Sequence, residues 1–383
     1  MPSNNLAGAR RRQELSSPVR ALLVVALLYL FLVGVSMLEA GIAAMGDGFR
    51  QGLLEQVAHP LSGLFAGILA TVLVQSSSVS TATIVGLVGA GTLTIPAAVP
   101  MIMGANIGTT VTNTLASLGA IRRSEEFRRG FAGATMHDMF NLLAVAILLP
   151  IELATRILSR SATALTGVLR STDVAIEPSA SPIRRAVRIP VGWLVDGLER
   201  IFTTGPIIGI LLLTAGLSLI FFALGLITRN MRRLLAGTVE RTMNRVVGRG
   251  GGSVGILVGI GVTVAVQSST ITTSILVPLV AAGILSLRNA YPITLGANVG
   301  TTITALLASL AVLRPEGLTI ALVHTLFNLS AITLLYPLPF LRDVPVRMAE
   351  ILADATIRRR SIVVAYVLGL FLILPLLGVI LLD

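Results

Sequence analysis

The chain has 383 residues, 54% hydrophobic and 12% charged, with a formal net charge of +11 and a mean hydropathy of +0.89. This balance excludes an ordinary soluble domain. All 29 basic residues are arginines and aromatics make up only 4%, so the positive charge reads as membrane orientation rather than nucleic-acid binding. The lack of cysteine excludes disulfides, thiol catalysis and thiolate metal sites, and three histidines (His59, His137, His324) argue against a transition-metal centre.

Residues 1–20 are polar and read as an N-terminal tail. The apolar run 21–45 exceeds the ~20 residues needed to cross a bilayer. It follows Arg10, Arg11, Arg12 and Arg20 and is too long for a signal-peptide core, so it is expected to be a retained first span. It opens a transmembrane repeat over 21–160. The stretch 161–203 is less apolar, carries Pro178, Pro182 and Pro190, and reads as an extracytoplasmic loop with an amphipathic helix near 191–201. A second transmembrane repeat covers 204–340 and begins with the apolar run 205–228. Residues 341–383 hold a cytoplasmic link and a last span at 361–382.

One block occurs twice. Residues 75–118 begin Gln75, Ser76, Ser77, Ser78 and continue to Gly104, Ala105, Asn106, Ile107, Gly108, Thr109, Thr110. Residues 267–310 begin Gln267, Ser268, Ser269, Thr270 and continue to Gly296, Ala297, Asn298, Val299, Gly300, Thr301, Thr302. The offset is 192 without a gap, and 23 of 44 positions are identical. A third matching pair, His137-Asp138-Met139-Phe140-Asn141 and His324-Thr325-Leu326-Phe327-Asn328, comes after the blocks at an offset of 187.

The arginines give the repeats a direction. Arg50 alone precedes the first block, and Arg122, Arg123, Arg128 and Arg129 follow it. Arg229, Arg232, Arg233, Arg241, Arg245 and Arg249 precede the second, and Arg314 alone follows. Under the positive-inside rule the two blocks cross in opposite senses, as inverted-topology repeats, with the N-terminus in the cytoplasm.

Each block holds too many polar and small residues for one smooth span. Irregular backbone at membrane depth survives only where it is buried in protein or lines an aqueous cavity. Broken or re-entrant helices are therefore expected at 75–78 and 105–109, and again at 267–270 and 297–301, meeting at a midplane site. A half-helix N-terminus suits an anion. Free carbonyls with Gln, Asn, Ser and Thr oxygens suit a hard cation. Neither block contains an acidic residue, and Arg288 is the only basic one, so a bound anion needs a co-bound cation to offset its charge. Small hydroxylated residues also pack membrane helices, but two copies with the same companion segment favour binding. Asp138 and Glu39 are candidates as intramembrane carboxylates. His137 and His324 read as packing residues, Asn141 and Asn328 as braces, and Trp193 and Tyr336 as interface anchors.

The paired QSSS/QSST and GANIGT/GANVGT segments, with HDMFN and HTLFN after them, resemble the type II sodium-dependent inorganic phosphate cotransporter family over roughly 21–382. The resemblance implies an all-α polytopic membrane protein, not an enzyme, that imports inorganic phosphate with Na⁺ by alternating access across a bacterial inner membrane. Its partners would be phosphate, sodium and the lipid bilayer, with Na⁺ the coupling ion and no other cofactor. By matching motif, phosphate falls to Gln75, Ser76, Ser77, Ser78, Gln267, Ser268, Ser269 and Thr270. Sodium falls to Gln75, Asn106, Thr109, Thr110, Gln267, Asn298, Thr301 and Thr302. Electrogenic members of the family carry an acidic residue at the position matching Gly91, so the resemblance there implies the electroneutral type of transport. The competing readings are an exporter or a carrier of arsenate or sulfate on the same fold, and a non-transporting membrane scaffold.

Overall fold

The computed structural model describes residues 16–56, 59–118, 124–171, 182–247 and 252–382; among these, all regular structure is helical. A long helix α1 (Ser17–Met45) and a short α2 (Asp47–Gln56) lead into the first repeat. That repeat comprises α3 (Pro60–Val74), α4 (Ser77–Gly89), α5 (Ile95–Gly108), α6 (Val111–Ser117) and α7 (Ser124–Thr155). Helices α8 (Ile157–Ser171) and α9 (Pro182–Glu199) separate it from α10 (Gly205–Val247). The second repeat is α11 (Gly252–Val266), α12 (Ser269–Ala281), α13 (Leu287–Ser309) and α14 (Pro315–Leu335). Helices α15 (Pro339–Arg358) and α16 (Ser361–Leu368), a wider π-helical turn at Gly369–Ile373, and α17 (Leu374–Leu382) end the described chain. Most of the tail, residues 172–181 of the expected loop, and Arg122, Arg123 and Arg249 lie outside the described residues.

Length sorts the helices. Five segments are long and apolar enough to cross a membrane: Ser17–Met45, Ser124–Thr155, Gly205–Leu235, Pro315–Leu335 and Ser361–Leu382. Helices α3 and α11 have 15 residues each, about 22 Å at 1.5 Å per residue. That falls short of a hydrocarbon core ~30 Å thick. Each is succeeded after two residues by a 13-residue partner, α4 or α12. The breaks expected at 75–78 and 267–270 are therefore present.

The companion breaks are not as expected. In the first repeat α5 runs through Ala105, Asn106, Ile107 and Gly108, and the chain turns only at Thr109 and Thr110. In the second, α13 continues unbroken through Ala297, Asn298, Val299, Gly300, Thr301 and Thr302. The glycines there serve close packing instead. A Cβ on Gly104 would overlap the Leu64 carbonyl oxygen, and one on Gly67 would overlap that of Met101. The second repeat reproduces this with Gly296 on Ile256 and Gly259 on Ile293. All four positions and all four partners are related by the same offset of 192, so the duplication read in the sequence is a duplication of contacts.

The described parts of the stretch 161–203 are mostly helical rather than loop. Helix α8 packs on α14 of the second repeat, and α9 lies against α1, with Tyr29 donating to the Ala186 carbonyl at 3.0 Å. Helix α15 packs on α7, mirroring α8 on α14. Helices α1 and α10 form a close pair in which a Cβ on Gly34 would stand 2.9 Å from the Gly216 carbonyl, and one on Gly216 would stand 2.8 Å from the Gly34 carbonyl. Such small-residue seams let van der Waals contact replace the hydrophobic drive that lipid cannot supply.

Overfilling these seams has a predictable cost. Gly67→Ala and Gly259→Ala are each expected to destabilise the protein by ~1–3 kcal/mol, read as a lower unfolding midpoint of detergent-purified protein. Gly261→Ala, on the same helix as Gly259 but with open space around its Cβ, is the control. Unchanged midpoints in both seam variants would refute the close approach of these helices.

Candidate functional site

At each break a glutamine takes a backbone conformation that L-residues avoid. Gln75 has φ 56° and Gln267 φ 58°; Arg156 is the only other described non-glycine residue with positive φ. The left-handed turn ends one helix and lets the next start at a new angle. It also strands helix-end carbonyls. The glutamine side chains answer that: Gln75 Nε2 donates to the Val72 carbonyl at 2.6 Å, and Gln267 Nε2 to that of Val264 at 2.7 Å. Their Oε1 atoms accept from Thr112 Oγ1 at 2.7 Å and Thr304 Oγ1 at 3.2 Å. Ser76 and Ser268 then cap the new helices, their hydroxyls accepting from the Val79 and Ile271 amides at 3.3 Å and 3.4 Å.

The two breaks share one cavity of ≈ 270 Å³. Gln75, Ser76, Ser77 and Ser78 line one part of it and Gln267, Ser268, Ser269 and Thr270 another, with Val74, Val79 and Ile271 beside them and Phe221, Leu224, Gly225 and Thr228 contributed by α10. All eight residues expected to hold phosphate are thus brought together. No charged side chain is among the lining residues. Positive potential comes from the backbone: α4 and α12 both begin at this cavity, and the first amides of a helix have no acceptor within it.

Of the residues expected to hold sodium, only Gln75 and Gln267 line the cavity. Thr109 and Thr301 donate to the Ala105 and Ala297 carbonyls, each at 2.9 Å. Thr110 and Thr302 donate to those of Ile107 and Val299 at 3.2 Å and 2.7 Å. Asn106 and Asn298 belong to a buried network that crosses between repeats. Asn298 donates to Asn141 Oδ1 at 2.8 Å and bonds His137 Nε2. Asn328 donates to Asn106 Oδ1 at 3.4 Å, and Asn141 to the Asn106 carbonyl at 3.0 Å. The asparagine of each HDMFN or HTLFN motif therefore clasps the GAN asparagine of the other repeat.

Several polar partners escaped the sequence reading. Thr112 and Thr304 sit at identical places in the two blocks, a signal that aligning the blocks carries. Asn113 has no such counterpart, because Ala305 takes its place; it donates to Thr273 and accepts from Ser274 Oγ at 2.8 Å, both on α12. Asp138 is fully buried. Its Oδ2 accepts from Tyr366 Oη at 2.7 Å and from Thr114 Oγ1 at 3.4 Å, and its Oδ1 has no partner among the described residues. Glu39 accepts from the Leu313 amide at 3.4 Å.

An all-helical membrane protein with two broken helices aimed at one uncharged polar cavity has the architecture of a secondary transporter. Comparison gives the family. A family model described as Na⁺/Pi-cotransporter matches residues 30–168 and 219–337, and the chain belongs to that family. It is similar to sodium-dependent phosphate transport protein 2A of Rattus norvegicus, 35% identical over 423 residues that cover 92% of this chain and 66% of the relative. The corresponding 2A protein of Ovis aries is 34% identical with the same coverages. Sodium-dependent phosphate transport protein 2B of Homo sapiens is 32% identical over 445 residues, covering 93% of this chain and 64% of the relative. The chain therefore spans slightly under two thirds of the length of these relatives. No solved structure matches.

The caps give a test of the equivalence of the two breaks. Ser76→Ala and Ser268→Ala are each expected to cost about 1 kcal/mol, seen as similar falls in the unfolding midpoint. A loss in only one variant would show that the two serines do not play the same part.

Proposed function

We propose that the protein is a sodium-coupled inorganic phosphate symporter of a cell membrane, built from two inverted repeats, with its N-terminus in the cytoplasm. The observation that carries this reading is the convergence of two helix N-termini on one cavity lined by both QSS tetrads. Family membership and the printed names of the relatives support the choice of phosphate and sodium. The arginine asymmetry supports the inversion.

The charge balance explains the coupling. A helix N-terminus carries roughly +0.5 of an elementary charge, so two offset about one of the two negative charges on divalent phosphate. The remainder needs a mobile cation, because a desolvated anion without one is strongly disfavoured. Phosphate accepts hydrogen bonds from the leading amides of α4 and α12 and from the Ser77, Ser78, Ser269 and Thr270 hydroxyls. Sodium is placed behind the tetrads, at the side-chain oxygens of Gln75, Gln267, Asn106, Asn298, Thr109, Thr110, Thr301 and Thr302. The four threonine hydroxyls there have already donated their hydrogens to carbonyls, so each keeps lone pairs for a hard cation.

In proteoliposomes, labelled phosphate uptake is expected with an inward Na⁺ gradient and not with choline in its place. Equal uptake in both would reject sodium coupling, and none in either would favour the scaffold reading. Competition by arsenate or sulfate measures selectivity. Gln75→Ala and Gln267→Ala, which each remove a helix-end cap and a threonine acceptor, are expected to abolish coupled uptake while the protein still reaches the membrane. Wild-type rates in both would place the site elsewhere.

The lack of an acidic residue at Gly91, where the electrogenic members of the family carry one, supports electroneutral transport of divalent phosphate, which takes two Na⁺. Asp138 carries a second reading: it is buried, no described arginine pairs with it, and one of its oxygens has no partner among the described residues. A further cation seated there would make the cycle carry net charge. A voltage-clamped membrane separates the two. No phosphate-evoked current upholds electroneutrality, whereas a current that disappears in Asp138→Asn assigns the extra charge to this carboxylate.

A further inference from the structure

The last helix lies beyond the part of the chain that the family model matches, which ends at residue 337, yet it reaches the buried carboxylate. Tyr366 of α16 is half-buried, and its Oη gives Asp138 its shortest hydrogen bond, 2.7 Å against 3.4 Å from Thr114. The ring is held edge-on against Phe131 of α7 at 6.3 Å and against Phe371 at 5.8 Å. The start of the helix is fixed to the start of α7 as well: the Arg360 guanidinium lies over the Phe127 ring at 4.7 Å and donates to Ser124 Oγ at 3.5 Å.

Beyond Tyr366 the helix changes allegiance. A π-helical turn at Gly369–Ile373 interrupts it, and α17 then packs on α3, so closely that a Cβ on Gly378 would overlap the Phe65 ring. A π-turn inserts an extra residue into the helical ladder and rotates the facing of the residues after it; such turns occur often at functional sites. Here the turn divides a segment that holds Asp138 from one that holds the helix leading into the Gln75 break. One continuous chain segment therefore ties the carboxylate to the arm of a tetrad.

We propose that Tyr366 is a positioning residue for cation binding: its hydroxyl fixes the Asp138 carboxyl so that the unpartnered Oδ1 is presented to the cation. This rests on the reading of Asp138 as a cation seat. With the hydroxyl removed, the carboxyl keeps only the long bond from Thr114 and is free to turn.

Tyr366→Phe removes one oxygen and keeps the ring contacts. In proteoliposomes the Na⁺ concentration giving half-maximal phosphate uptake is expected to rise about tenfold, the equivalent of one hydrogen bond of ~1.4 kcal/mol. Phosphate KM at saturating Na⁺ should stay at its wild-type value, which a general loss of structure would not spare. Asp138→Asn should also shift the Na⁺ dependence, and adding Tyr366→Phe to it should change nothing further. If Asp138→Asn shifts and Tyr366→Phe does not, or if the two effects add, Tyr366 does not act through Asp138 and the inference fails. If Asp138→Asn keeps the wild-type Na⁺ dependence, the cation seat itself is wrong and the inference falls with it.

Discussion

The structure depends on how two interruptions of the backbone are made tolerable. Within a bilayer an unpaired amide or carbonyl costs several kcal/mol, and a left-handed non-glycine residue adds roughly 1–2 kcal/mol. Gln75 and Gln267 incur both costs and relieve the first with their own amides, which hold the Val72 and Val264 carbonyls. The threonines that hold the glutamine oxygens come from α6 and α13, so each turn is braced by the segment just past the GAN motif. The close seams of α3 with α5 and of α11 with α13 bring that segment near. Strain of this sort persists only where its surroundings over-determine it, and here its product is a helix start facing the cavity.

The repeats are alike in their scaffolds and unlike in their polar detail. Gly67, Gly104, Ser76, Gln75 and Thr112 each have a working counterpart 192 residues on. Asn113 does not: Ala305 replaces it, α13 runs straight where α5 and α6 are broken, and Asn113 bonds across to Thr273 and Ser274 of α12. Asp138 is likewise matched by Thr325, whose hydroxyl bonds only the carbonyl of its own helix at Ala321. A duplicated frame gives two equivalent helix starts. Asn113 and Asp138 both lie on the first repeat and reach toward the second or toward the last helix. The one cavity shared by the two halves is thus faced by two nearly symmetric helix starts and surrounded by unequal polar groups.

The sequence made the QSS breaks legible because their chemistry is local: a polar cluster inside an apolar run, twice, leaves the backbone few other solutions. The GAN segments mislead for an instructive reason. Glycine and asparagine look like breakers, but in the fold Gly104 and Gly296 admit a neighbouring backbone, and Asn106 and Asn298 reach partners far along the chain. Nothing within the segment distinguishes a helix that breaks from one that packs tightly. The same holds for Asp138, whose burial is suggested by its apolar flanks but whose partner Tyr366 lies 228 residues on. The cross-repeat pairs of Asn141 with Asn298 and of Asn328 with Asn106 were out of reach because each motif, read alone, only announces a buried amide in need of a partner.

The missing arginine in the cavity is itself informative. A guanidinium there would satisfy a phosphate dianion more strongly than amides and hydroxyls do, and transport would then stall, since a carried ion must bind weakly enough to leave. Two helix starts supply a fixed but incomplete compensation. On the proposed function the rest comes from ions that arrive and depart with the substrate, so that phosphate and sodium occupancy are conditions for each other. The coupling then does not need a dedicated device. On the proposed function it results from a cavity whose permanent charge is about one unit too small for divalent phosphate.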